Sequence, residues 1–334
     1  MYFNKEEFIN NYEKAVNEFP KVEEVALNLK ALTIKKIYFT GCGGSFTKFV
    51  DLRPLMFKIL KVPFIIVSPE ELTDLYLNDL NENSLVVCGS NSGETEELIK
   101  ALSIIKDKSP KTTIVGFVRE KDTTMEKMGA LKYKLNSIDT DVNLLDLGWL
   151  LEMYSDQTVS MNTSKAVSNL LAIKEKLADK IEVLLPDAVK KVNSTDLNDL
   201  QIWVSSGRAW GEVCCFSNYM SEEIQRIKSQ AIHSGEYFHG PFEITDENQS
   251  INVVLNSNDT RNIDLRVVNF AKKYAKDCFI VDMKSFELND LPENLRVFVE
   301  PYVLNHYFDA LHNIYSNKTG RSSRTRRYYR LMKY

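Results

Sequence analysis

The chain has 334 residues, 44% of them apolar and 26% charged, with a formal net charge of −4. This is the composition of a globular protein large enough for one big domain or two ordinary ones, and nothing overall points to nucleic acid or an anionic membrane as partner. No apolar run approaches the ~20 residues of a membrane span, and the opening "MYFNKEEFINNYEKA" has no apolar signal core, so a cytoplasmic protein is expected.

Along the chain, residues 5–18 and 21–31 read as helices separated at Pro20. The period then changes. Residues 35–60 are an apolar run, a glycine-rich turn and a helical segment; 62–68 is a second buried strand; 83–107 repeats strand, turn and helix; 111–118 is a fourth strand. Continuous apolar runs alternating with helices predict a parallel sheet covered on both faces. From about Asp141 to Ala188 the chain reads as long linking helices. The rhythm returns with a strand and turn over 200–210, strands at 249–257 and 277–283, a helix over 211–229, and an amphipathic helix over 299–320. The two halves read as versions of one α/β unit. The divisions expected are N-terminal helices over 1–30, a domain over 31–145, linking helices over 146–192, a domain over 193–320 and a tail over 321–334.

The cysteines, Cys42, Cys88, Cys214, Cys215 and Cys278, form neither a C-x-x-C pair nor a disulfide framework. His233, His239, His306 and His312 show no zinc spacing. No metal or other cofactor is expected.

Chemistry concentrates in three stretches. In open parallel sheets, ligands bind beyond the carboxyl ends of the strands. "TGCGGSF" at 40–46 follows one strand: glycines let the backbone approach a ligand, and Ser45 stands near a helix N-terminus. It is neither a dinucleotide fingerprint nor a P-loop, and a tight strand-to-helix turn would also explain it. "GSNSGET" at 89–95 follows another strand. Ser90, Asn91, Ser92 and Thr95 add four hydrogen-bonding side chains to a helix N-terminus that already favours an anion. Ser92 as a helix cap would explain one such residue, not four. The third stretch is "SGEYFHGPFE" at 234–243, with His239 placed 16 residues after Glu223. A carboxylate and an imidazole near a phosphate site can move protons on a sugar; a solvated helix face and a turn histidine are the plainer alternative.

Together, "CGGS", "SNSGET" and "SGEYFHGPFE" stand in the order of the SIS (sugar isomerase) family. They resemble the CGTS, SQSGET and AGELKHGP stretches in the isomerase half of glucosamine-6-phosphate synthase. The resemblance implies two tandem flavodoxin-like SIS domains, each a roughly five-stranded parallel sheet flanked by helices. It implies that Ser45, Ser90, Asn91, Ser92 and Thr95 hold a sugar phosphate beside Cys42, Gly43 and Gly44. It further implies that Glu223 carries a proton between C1 and C2, and that His239 opens the sugar ring. In the family this histidine comes from a neighbouring subunit, so a homodimer or larger homo-oligomer is implied.

There are departures. Met220 stands where the synthase has lysine, and Phe216 where it has a second glutamate. The ending "HNIYSNKTGRSSRTRRYYRLMKY" resembles instead that of the fructoselysine 6-phosphate deglycases, in which an R-R-Y-Y run precedes a terminal tyrosine. This implies that Arg326, Arg327 and Tyr328 help to close the site. Glu236, in the matched 234–243 stretch, reads as shaping the loop or supporting the residues that meet the substrate. The substrate implied is a phosphorylated fructosamine, split to glucose 6-phosphate and a free amine. The alternatives are an amino-sugar-phosphate isomerase or deaminase on the same scaffold, and a non-catalytic sugar-phosphate sensor. Seven basic residues from Lys318 to Lys333 could also form a solvated or nucleic-acid-binding tail.

Overall fold

A computed structural model describes residues 2–155, 162–329, 331 and 332. The terminal Tyr334 lies outside the described residues, as do positions 156–161 of the stretch read as linking helices. The chain divides into two compact units. We call residues 7–174 with 291–299 the first unit, and residues 1–6, 175–290 and 300–334 the second.

The first unit contains β1 (Lys36–Gly41), β2 (Phe64–Val67), β3 (Ser84–Ser90), β4 (Thr113–Val118) and β5 (Tyr133–Asn136). All pairs are parallel, in the order β2-β1-β3-β4-β5. The central β3 and β4 are buried along their whole length, which is why they read as unbroken apolar runs. One sheet face packs on the helix Glu96–Lys108 through Leu98, Leu102 and Ile105, against Val86, Ile114 and Val118. Helix starts are chemically marked. Ser68 and Glu71 form a reciprocal capping box on Pro69–Leu75, and Thr123 and Glu126 form another on Thr124–Lys127.

The second unit contains β6 (Gln201–Ser205), β7 (Ser229–His233), β8 (Ser250–Leu255) and β9 (Asp277–Asp282). They too are parallel, in the order β7-β6-β8-β9. Each unit therefore repeats one layout: the first strand lies second in the sheet, and the order reverses beside it. The fold is α/β, with two parallel sheets flanked by helices. Among the described residues the second sheet has four strands rather than the roughly five implied by the resemblance.

Two further differences from the sequence reading stand out. The segment read as helix over 211–229 ends by Gln225, and its last residue begins β7. The segment read as an amphipathic helix over 299–320 is part of a longer helix, Glu293–Thr319. Tyr302, Leu304, Tyr307, Phe308 and Leu311 are all buried, on successive faces of that helix. A helix surrounded by protein has no polar stripe to keep.

Candidate functional site

In the first unit, Gly41 at the end of β1 lies beside Gly89 of β3. The chain leaves β1 for β2 on one side and β3 for β4 on the other, so this is the switch point of the sheet. A side chain at Gly89 would run into Val142, so glycine there lets the loop after β5 close down on the strand ends. Gly43, at φ 56, turns the chain into the helix Gly44–Asp51, whose first turn has no side-chain cap. Such a turn needs the left-handed backbone that glycine supplies freely. Ser45 lies in that first turn and is buried. The Cys42 thiol is pushed up to about 12 by burial and then by Glu97 and Glu70, which favours the protonated form at neutral pH.

The loop after β3 is organised by its own hydroxyls. Ser90 Oγ accepts a hydrogen bond from Gly93 N at 3.0 Å and sits 2.9 Å from Thr95 Oγ1. Ser92 Oγ accepts from Glu94 N at 3.2 Å. The N-cap position of the helix Glu96–Lys108 belongs to Thr95, whose side chain makes no capping bond. Ser92 is therefore not the helix cap. Asn91 Oδ1 is buried without a protein partner. The arrangement offers hydroxyls, an amide and a positive helix end to an anion.

The equivalent switch point of the second unit is filled from within. Asp264 accepts hydrogen bonds from Ser206 Oγ (2.5 Å), Ser234 Oγ (2.7 Å), Asn256 N (3.0 Å) and Asn256 Nδ2 (2.9 Å). Beside it, buried Arg208 pairs with Glu300 at 2.7 Å and Asp259 at 2.6 Å. Here the donors at the strand ends are satisfied by the chain's own carboxylates.

Glu223 lies in an unusual helix. After a short α-helical stretch, Trp210–Cys214, residues Cys215–Gln225 are wound as a π-helix, a rare form that is frequent at functional sites. Phe216 faces the core, stacked on Phe308 at 4.7 Å and edge-on to Trp203 at 4.9 Å. That position, a glutamate in the synthase, here holds the helix to the sheet. Met220 is half-buried.

The two adjacent glutamates have different partners. Glu222 accepts from Ser229 N at 3.3 Å, tying the helix to β7. Glu223 receives Arg326 Nε on Oε1 at 2.9 Å. Both line a pocket of about 600 Å³ with Arg226, Ile227, Lys228 and the tail residues Arg326, Arg327, Tyr328 and Tyr329. The guanidinium of Arg327 lies 5.9 Å from the Tyr328 ring, and that of Arg326 5.7 Å from Tyr329. Arg226 takes the left-handed conformation at φ 55 and donates to Arg326 O at 3.2 Å. The sequence reading did not single out Arg226; a positive-φ arginine closing a helix leaves no mark in composition.

His239 is not among the residues lining that pocket. It is exposed on a loop pinned from behind. Ser234 N bonds Ser205 O at 2.8 Å, and buried Tyr237 reaches Thr245 Oγ1 at 2.6 Å. Glu236 is exposed, and its carbonyl accepts from His239 N at 2.9 Å. The structure brings Glu223 together with Arg326, Arg327 and Tyr328 in the second unit, and gathers Ser45, Ser90, Asn91, Ser92 and Thr95 at the switch point of the first.

The family model of the SIS domain matches residues 32–141. That segment is a SIS domain. It carries the loops after β1 and β3, while Glu223, His239 and the tail lie beyond it. Over its longer course the chain is 28% identical across 292 residues to the fructosamine deglycase FrlB of Bacillus subtilis (strain 168), covering 85% of this chain and 88% of that one. It is 21% identical over 321 residues to the fructoselysine 6-phosphate deglycase of Escherichia coli (strain K12), covering 90% and 87%. A solved structure from Bacillus subtilis, provisionally described as a phosphosugar isomerase, matches with a TM-score of 0.84 at 23% identity, over 96% of this chain and 99% of that one. This structural likeness establishes the fold beyond the SIS domain as well as within it.

Proposed function

We propose that this chain is a deglycase of 6-phosphofructosamines, releasing glucose 6-phosphate and a free amine. The observation that carries the reading is the tail laid on Glu223, with Arg326 on its carboxylate and Arg327 and Tyr328 in the same pocket. The similarity to two deglycases over most of the chain supports it.

In this reading Ser45, Ser90, Asn91, Ser92 and Thr95 bind the phosphate, and that remote binding holds the reacting carbons in place. His239 opens the ring by proton exchange with the anomeric oxygen. Glu223 removes a proton from C1, and the C2 oxygen gains one, giving an enaminol. Protonation at C2 turns the C1–N bond into an imine. Water adds to C1, the amine departs with a proton, and C1 is left as the aldehyde of glucose 6-phosphate. The sum is substrate plus water, with no net oxidation. His239 and Glu223 would each supply roughly 10²–10⁴-fold as acid–base groups. We further propose that the chain works as a homodimer or larger homo-oligomer in the cytoplasm.

The test is a coupled assay for glucose 6-phosphate, with a panel of phosphorylated fructosamines and fructose 6-phosphate as control. Release from a fructosamine, falling by about 100-fold or more in both Glu223→Gln and His239→Ala, is the expected result. Turnover of fructose 6-phosphate alone would make the chain an isomerase, and wild-type activity in Glu223→Gln would remove that residue from the chemistry.

A further inference from the structure

We propose that Gln225 is a positioning residue that fastens the tail over Glu223. The inference rests on the deglycase reading for its kinetic consequence, but the fastening stands on geometry alone. Gln225 is the last residue of the π-helix and is 1% exposed. The chemistry has no need of an amide there, yet nearly every polar atom of this residue is spent on the C-terminal segment. Its Nε2 lies 2.8 Å from Ser316 Oγ, 3.1 Å from Arg321 O and 2.8 Å from His312 Nε2. Its Oε1 accepts from Thr319 Oγ1, and its backbone carbonyl accepts from Arg321 Nη1 at 2.8 Å.

These bonds join the end of the helix Glu293–Thr319 and the first tail residue to the end of the π-helix, two residues beyond Glu223. Farther along, Arg226 holds the Arg326 carbonyl and Arg326 reaches Glu223. The tail is thus stitched to residues 223–226 at two places, and the buried one is Gln225. A buried amide whose hydrogen bonds all lead to one segment fixes that segment's path, since releasing it would leave several polar groups unpaired at once. With Gln225 removed, the segment after Arg321 loses its anchor and Arg326 leaves Glu223.

Two measurements test this on the full chain. The first is limited trypsin digestion, read by mass, for cuts after Arg321, Arg324, Arg326 and Arg327. Gln225→Leu should be cut there at least about 10-fold faster than wild type, because cleavage follows the population of the open segment. Thr319→Val removes two bonds, the one to Gln225 Oε1 and the one from Arg321 N, but leaves those of Gln225 Nε2, and should give an intermediate rate, which serves if Gln225→Leu fails to fold. The second is steady-state kinetics. Gln225→Leu should lower kcat while leaving KM near the wild-type value, because the phosphate is held elsewhere. Arg326→Met should lower kcat by a similar factor, and the double variant no further than the larger single effect.

Equal digestion rates in wild type, Gln225→Leu and Thr319→Val would overturn the proposal whatever the activities, as would full additivity of Gln225→Leu with Arg326→Met. A wild-type chain that releases no glucose 6-phosphate would instead overturn the deglycase reading, and the digestion would still judge Gln225.

Discussion

Adjacent side chains in this protein serve different ends, and Glu222 and Glu223 show it most plainly: one carboxylate secures a strand, the other meets the tail. At the loop after β3 the division is finer. Ser90 both shapes its turn and stands where an anion would bind, so Ser90→Ala should cost about 1 kcal/mol of stability and weaken glucose 6-phosphate binding about 10-fold by calorimetry. Unchanged affinity would remove Ser90 from the binding set. These residues were legible because they are local: four hydrogen-bonding side chains within one strand-to-helix turn are visible in any printed sequence. Gln225 and Arg226 were not, because their meaning lies in partners such as Arg321 and Arg326, distant along the chain.

Among the elements, the central strands and the apolar edge strands β2 and β9 declared themselves, and the edges β5 and β7 did not. β3 and β4 are buried at every position, whereas β5 (YKLN) and β7 (SQAIH) are outermost in their sheets and only partly buried. An edge strand needs less apolar surface, and short ones carry too little pattern to separate from loop or helix end. The helix Glu293–Thr319 was misjudged for the opposite reason, being buried where a polar stripe was anticipated. It also carries His312, whose pKa is pulled down to about 4 by burial and then by the Arg326 charge. Its ordinary value is 6.5, so the unfolded chain takes up this proton first as pH falls. Stability linked to His312 is complete above pH 6.5 and is lost between there and about 4, at most about 3 kcal/mol. Urea midpoints measured across that window should fall less steeply in His312→Leu than in wild type; identical slopes would show that the site is not held neutral by the fold.

Across the whole molecule, the same layout appears twice but is equipped differently. The first switch point presents the hydroxyls of Ser45, Ser90 and Thr95; the second turns Ser206, Ser234 and Asn256 inward on Asp264. Asp264→Ala would leave those donors without an acceptor, at a cost of roughly 3–5 kcal/mol. Amide exchange should rise in β6 and β8 while β1 and β3 keep their protection, and a uniform rise would argue against separate cores. Sequence periodicity revealed the repeated layout, but not this difference, because Asp264 reads as an ordinary acidic residue in the first turn of a helix. The consequence is one of stoichiometry. Two switch points suggest two equivalents of an anionic sugar per chain, yet a titration should reach its end point at one. A duplicated architecture has in this way been equipped unequally: one copy leaves hydroxyls at its strand ends, while the other sets its own carboxylates there and carries Glu223 and the tail instead.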